Sequence, residues 1–191
     1  LTDFGYFLED EEQNEVLLPN AYVTEAMNIG EEIDVFLYLD SEERIIATTL
    51  KPYAESDEFA YLLCKQVNDI GAFMDWGIMK DLFVPFREQV IKFVEGQSYL
   101  VFIYIDEVTD RILGSSKEND FLFFDDIKLQ EAEEVDLLIY KETDLGFNCI
   151  VNNLHKGLIF RSDIHKKISP GDKIKGYVKK VREDGKLDIV L

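Results

Sequence analysis

Two histidines, His155 and His165, and two cysteines, Cys64 and Cys149, are all the chain offers of the side chains that most readily bind transition metals or form nucleophile–base pairs. Neither cysteine has a second one at CxxC spacing or a histidine nearby, and both fall in apolar strand-like segments, so they read as small reduced core residues. The histidines stand in basic, loop-like segments with no cysteine or carboxylate at ligand spacing. No Gly-rich phosphate loop, Gly-x-Ser-x-Gly or His-Glu-x-x-His occurs, and acidic pairs such as Asp125-Asp126 and Glu133-Glu134 lie in connectors. Catalysis is therefore not expected, and neither a metal nor a cofactor is. What remains is the chemistry that holds a single-stranded polyanion: aromatic faces on which bases stack, and cations that track phosphates.

Charge decides where that chemistry is affordable. A net charge of -19 repels a nucleic acid as a whole, but the distribution is uneven. From Glu134 to Leu191 eleven Lys and Arg face nine Asp and Glu, a net of +2, whereas residues 1–133 hold nine basic and thirty acidic side chains, a net of -21. Hydrophobic content of 47% and aromatic content of 13% suffice for packed cores and argue against global disorder. No apolar run approaches the roughly 18 residues of a membrane span, and Leu1-Thr2-Asp3 does not open a signal peptide. The expectation is a soluble, cytoplasmic protein.

The elements that must position these residues come from a repeat. Asp3-Phe4-Gly5-Tyr6-Phe7, Asp69-Ile70-Gly71-Ala72-Phe73 and Asp144-Leu145-Gly146-Phe147-Asn148 align at offsets of 66 and 75. Val16-Leu17-Leu18-Pro19, Leu82-Phe83-Val84-Pro85 and Gly157-Leu158-Ile159-Phe160 follow at the same offsets, as do Gly30, Gly96 and Gly171, each of which introduces an alternating strand. A short turn and a last strand close each unit at Arg44–Ala47, Arg111–Gly114 and Lys186–Ile189. Period-2 alternation, β-branched and aromatic strands and Gly/Asp turns predict an all-β protein of three tandem five-stranded OB barrels, over 1–50, 57–116 and 134–191. First strands are predicted at Phe59–Val67 and Val135–Lys141; the first unit lacks its own, so the chain is expected to begin upstream. A short helix is predicted at Phe86–Phe93. Lys51–Asp57 reads as a linker. The second connector, 117–133, carries the apolar cluster Phe121-Leu122-Phe123-Phe124, read as a clasp between the second and third units, with a partner surface as the alternative.

Gly71-Ala72-Phe73-Met74-Asp75-Trp76-Gly77 with Lys80–Phe86 resembles the S1 RNA-binding domain, specifically the conserved virulence factor B family of bacterial S1-repeat proteins. Val16–Asn20, Ala47-Thr48-Thr49, Val151-Asn152-Asn153 and Lys179–Lys186 resemble that family's motifs in matching positions, across essentially the whole chain. The resemblance implies three S1 repeats, a C-terminal winged-helix domain that would lie beyond Leu191, RNA binding and a regulatory role in gene expression. Carried over by position, its RNA-contacting sites fall on Phe4, Phe7, Pro19, Asp40 and Arg44 in the first unit. In the second they fall on Ile70, Phe73, Pro85, Asp106 and Arg111, and in the third on Leu145, Asn148, Phe160, Arg182 and Lys186.

Because a negative field opposes even the approach of a strand, the third unit is the expected binding site. The residues expected to contact RNA are Phe147, Asn148, Lys156, Phe160, Arg161, Lys166, Lys167, Arg182 and Lys186, with Phe4, Phe7 and Phe73 as further stacking positions. For Phe7 and Phe73 a core position remains open, for the lysines a solvated face, and Trp76 reads as a packing anchor. The sequence thus predicts a non-catalytic RNA-binding protein, a post-transcriptional or translation-linked regulator that holds single-stranded RNA mainly through its third unit. The alternative is an acidic OB-fold scaffold that binds a basic protein, such as a ribosomal protein.

Overall fold

A computed structural model of the chain describes residues 3–191. It is all-β, with four single-turn 3-10 segments between strands and no helix, among the described residues, long and apolar enough to cross a membrane. The chain divides into two compact bodies. One comprises the described residues through Tyr53 together with Trp76–Asp81; the other comprises Ala54–Asp75 and Leu82–Leu191.

The first body holds a four-stranded sheet in the order β1 (Gly5–Glu9), β2 (Glu15–Pro19), β4 (Ile45–Thr48), β3 (Phe36–Leu39), with β2 and β4 parallel. Leu18, Tyr22 and Ala47 form its core, and Trp76 is 3% exposed with its ring edge-on to Phe36 at 5.5 Å. Trp76 is thus the packing anchor its sequence position suggested. Among the described residues no strand bridges β1 and β3.

The second body holds two sheets. In one, β7 (Leu82–Pro85), β6 (Gly71–Met74), β5 (Phe59–Val67), β8 (Ser98–Asp106) and β9 (Arg111–Ser115) run in that order. In the other, β10 (Glu134–Glu142), β11 (Gly146–Val151), β12 (His155–Phe160), β14 (Leu187–Val190) and β13 (Lys173–Val181) close into a barrel. Closure requires a strand that turns a corner, and β10 does so at a bulge between Ile139 and Lys141, pairing with β11 on one side and β13 on the other. The strand β5 bulges at the equivalent place, between Cys64 and Gln66, and likewise pairs with β6 and β8. There β7 and β9 pack side by side at Gly114, yet no ladder joins them, so a half-closed sheet stands where the sequence predicted a barrel.

One local geometry recurs in all three sheets. Gly5, Gly71 and Gly146 sit opposite Pro19, Pro85 and Phe160, in each case fourteen residues apart. A Cβ on these glycines would meet Leu18 O at 2.0 Å, Val84 O at 2.5 Å and Ile159 O at 1.9 Å. Only a residue without a side chain lets the two strands approach so closely. Just beyond, Asn20, Phe86 and Arg161 donate their N–H groups to the carbonyls of Phe4, Ile70 and Leu145 at 3.0, 3.3 and 3.0 Å, and each opens a 3-10 turn.

The predicted helix over Phe86–Phe93 is not formed. A 3-10 turn ends at Glu88, and the Gln89 side chain then donates to Val84 O (2.9 Å) and accepts from Phe93 N (3.0 Å), fixing an irregular loop. The apolar spacing has another cause: Phe93 stacks on Tyr99 with ring centroids 3.9 Å apart, while Val90, Ile91 and Val94 face solvent.

The clasp is formed. Leu122 is buried with Phe59, Leu100 and Phe102 of the second sheet and with Leu138, Tyr140 and Ile150 of the barrel, and Phe121 stacks on Phe102 at 4.2 Å. Asn153, in the β11–β12 turn, accepts from Phe59 N (2.7 Å) and donates to Asp57 O (2.8 Å), tying the same two sheets with polar bonds. Both cysteines are fully buried, and burial raises the pKa of both thiols, that of Cys149 strongly, so they stay protonated core groups.

Gly146→Ala is expected to cost about 3 kcal/mol or more, since the backbone itself must move. Gly96→Ala, whose Cβ would meet nothing within 4 Å but which has a φ of +80°, should cost only about 1 kcal/mol. Urea unfolding of the two variants checks this.

Candidate nucleic-acid interface

Alternation along β11 and β12 sorts the barrel's side chains into two sets. Phe147, Cys149 and Val151 point inward with Ile159, Leu187 and Ile189 and make the barrel core. Phe147 is therefore corrected from a stacking residue to a core one: it is 7% exposed and has no free face for a base. Asn148, Leu158 and Phe160 occupy the alternate positions and remain partly exposed.

Register links the outer set across all five strands. Lys141 pairs with Asn148, Asn148 with Leu158, Leu158 with Asp188 and Asp188 with Lys180, so one row of side chains wraps the barrel with an exposed lysine at each end. Two residues along β12 from Leu158 stands Phe160, and the Arg182 guanidinium lies over its ring, 5.7 Å from the centroid. Arg182 Nε donates to Asp188 Oδ1 at 2.6 Å, which fixes the guanidinium above the ring while leaving its side chain 29% exposed. A ring topped by a held guanidinium plane is a surface on which a planar base stacks.

The other predicted cations divide into tied and free. Lys156 Nζ is bound to Glu118 Oε1 and Asn119 Oδ1, both at 3.1 Å, and so belongs to the connector and not to an open groove. Arg161 braces the β10–β11 turn, donating to Glu142 Oε1 (3.0 Å), Thr143 O (2.8 Å) and Asp144 O (3.1 Å). Lys186 pairs with Asp184 at 2.9 Å, and this contact holds the Asp184 carboxyl below its usual pKa. Lys166 and Lys167 are exposed in the loop before β13 and, like Lys141 and Lys180, have no ion-pair partner among the described residues. In the second sheet the positions equivalent to His165 and Lys166 are Val90 and Ile91, while Lys92 stands where the barrel has Lys167, so that loop keeps one of the two lysines and is otherwise more apolar.

The sites expected in the other two sheets are aromatic without comparable charge. Phe4 and Phe7 are 76% and 54% exposed, and Arg44, the cation expected in the same unit, is taken by Asp40 (2.8 Å) and Glu42 (3.0 Å). Phe73 is half-buried and pairs across strands with Phe83, ring centroids 5.1 Å apart. Phe83, Leu158, Asp188, Lys141 and Lys180 were not singled out from sequence. Strand register is what reveals them, and the alternation that buries Cys149 already places Phe147 on the inner side.

No group of three or more potential metal ligands occurs among the described residues. Comparison with known proteins agrees with the fold. Residues 1–50 match the family model of the S1 domain. The chain is homologous over its full length to the uncharacterized protein YitL of Bacillus subtilis strain 168, with 30% identity over 201 aligned positions, and spans 66% of that relative. Among solved structures it is similar to a multidomain protein with nucleic acid binding domains from Streptococcus pneumoniae TIGR4, at 20% identity and a TM-score of 0.50, covering all of this chain and 70% of that one.

If Phe147 is core and Phe160 is surface, Phe147→Ala costs about 3–5 kcal/mol in urea unfolding and Phe160→Ala less than about 1 kcal/mol. Equal costs would contradict the assignment of faces.

Proposed function

We propose that the chain is a non-catalytic protein of three S1-type OB units, over 1–50, 57–116 and 134–191, which binds single-stranded RNA through the outer face of the third. The observation that carries this reading is Arg182 held over Phe160, beside the Lys141-Asn148-Leu158-Asp188-Lys180 row, in the part of the chain whose net charge is +2. The recurrent glycine–carbonyl approach supports the three-unit reading. The S1 match at residues 1–50 and the nucleic acid binding domains of the pneumococcal structure support the ligand class.

In this reading Phe160 and Arg182 receive one base by stacking. Asn148, with both a donor and acceptor on its amide, reads a neighbouring base edge or 2′-hydroxyl. Lys141, Lys180, Lys166 and Lys167 neutralise phosphates, a duty Arg182 shares less because Asp188 already balances it. Lys186 and Arg161 act by shaping the two turns that flank the face. Phe4, Phe7 and Phe73 are secondary stacking positions, held back by the acidic field around them. The resemblance to the virulence factor B family extends the proposal to a cytoplasmic bacterial regulator, acting after transcription or at translation, with a winged-helix domain following the third unit.

A second reading, an acidic scaffold for a basic protein, is favoured by the net charge of -21 over residues 1–133. Fluorescence anisotropy with labelled oligouridine at two salt concentrations separates the two. RNA binding predicts salt-sensitive affinity, about ten-fold weaker for Phe160→Ala and for Arg182→Ala, and a salt slope reduced by about 0.7 in Lys180→Ala. No binding at low salt would favour the scaffold.

A further inference from the structure

The connector leaves one large ring in water while packing its neighbours. Leu122 is buried, Phe121 and Phe124 are partly buried against the same cluster, and Phe123 between them is 60% exposed. Burying a phenylalanine ring is strongly favourable, so the clasp forgoes a contribution at this position.

Phe123 is nevertheless not loose. Its N–H donates to Leu154 O at 2.9 Å, and its carbonyl accepts from His155 Nδ1 at 3.0 Å, which fixes that ring's tautomer with the proton on Nδ1. One residue on, Phe124 lies against the β13–β14 turn at Gly185, where a Cβ would come within 1.8 Å of Phe124 O. A backbone pinned at both ends holds the exposed ring between two loops of the barrel. One is the β11–β12 turn, which leads into His155 and Lys156 at the start of β12; the other is bracketed by Arg182 and Lys186. Fixing the backbone in advance removes part of the ordering cost that a base-stacking contact otherwise incurs.

We propose that Phe123 is a second stacking platform, supplied by the connector and not by any strand of the barrel, so that a bound strand passes from the Phe160–Arg182 stack toward the β11–β12 turn and places another base on Phe123. This rests on the reading of the barrel as an RNA-binding unit. On that reading the Glu118–Lys156 pair has a distinct role: it anchors the connector at the start of β12 and so fixes where the second platform stands.

The test uses the whole chain with two probes, tetrauridine and dodecauridine, and the variants F123A, F123W and F160A. F123A should weaken dodecauridine binding about ten-fold while leaving tetrauridine binding and the salt slope unchanged, because a stacking contact releases no counterions. F123W should restore the affinity. Thermal unfolding of F123A should match the parent, since the ring is exposed, and this separates lost stacking from a damaged clasp. If F160A weakens dodecauridine and F123A binds it like the parent, the second platform is overturned and the barrel reading stands. If the parent binds neither oligonucleotide, the barrel reading itself fails and the platform with it.

Discussion

The three sheets depend on one steric constraint: a glycine at the head of one strand lying under a carbonyl of the next. At Gly146 the distance that a Cβ would have to Ile159 O, 1.9 Å, is far inside van der Waals contact, and Gly5 and Gly71 face the same crowding. The close approach brings Phe160 opposite Gly146 and lets Arg161 donate to Leu145 O, so the 3-10 turn starts where the strand ends. In the barrel β12 also pairs in parallel with β14, and that pairing sets Asp188 beside Leu158 and brings Arg182 over Phe160. The second sheet has the glycine contact without the corresponding β7–β9 ladder, so the surface feature of functional interest needs both the interior backbone contact and the closing pair of strands.

Charge and packing then divide the labour. The half of the barrel's outer face near Ile150 and Lys156 is occupied by the clasp and by the Glu118 pair; the half at Asn148, Leu158 and Phe160 is open. A protein of net charge -19 can hold a polyanion only where local cations outweigh the field, and four of those cations, Lys141, Lys166, Lys167 and Lys180, are not neutralised by a neighbour among the described residues. The second sheet has its own aromatic pair, Phe73 and Phe83, but Val90 and Ile91 where the barrel has His165 and Lys166, with Lys92 alone matching Lys167. The same scaffold thus carries different chemistry through a few loop substitutions.

Much of the fold was legible because strands announce themselves by alternation. Phe59–Val67 is read from sequence with its observed bounds, and Val135–Lys141 within one residue at each end. The burial of both cysteines and the clasp around Leu122 follow from their apolar surroundings. The Phe86–Phe93 segment misleads because Gln89 bonds the backbone in place of a helical turn and Phe93 alone is buried. Within the site, Phe160 and Arg182 are recoverable from position. Their stacking is not, because it requires the parallel β12–β14 register, and nor is the capture of Lys156 by Glu118 across 38 residues of chain.

Amide hydrogen exchange on the intact chain, with and without oligouridine, tests the central claim most directly. New protection is expected across Gly146–Phe160 and around Val181–Lys186, with residues 36–48 unchanged. Protection confined to residues 3–48, with the barrel unaffected, would contradict it.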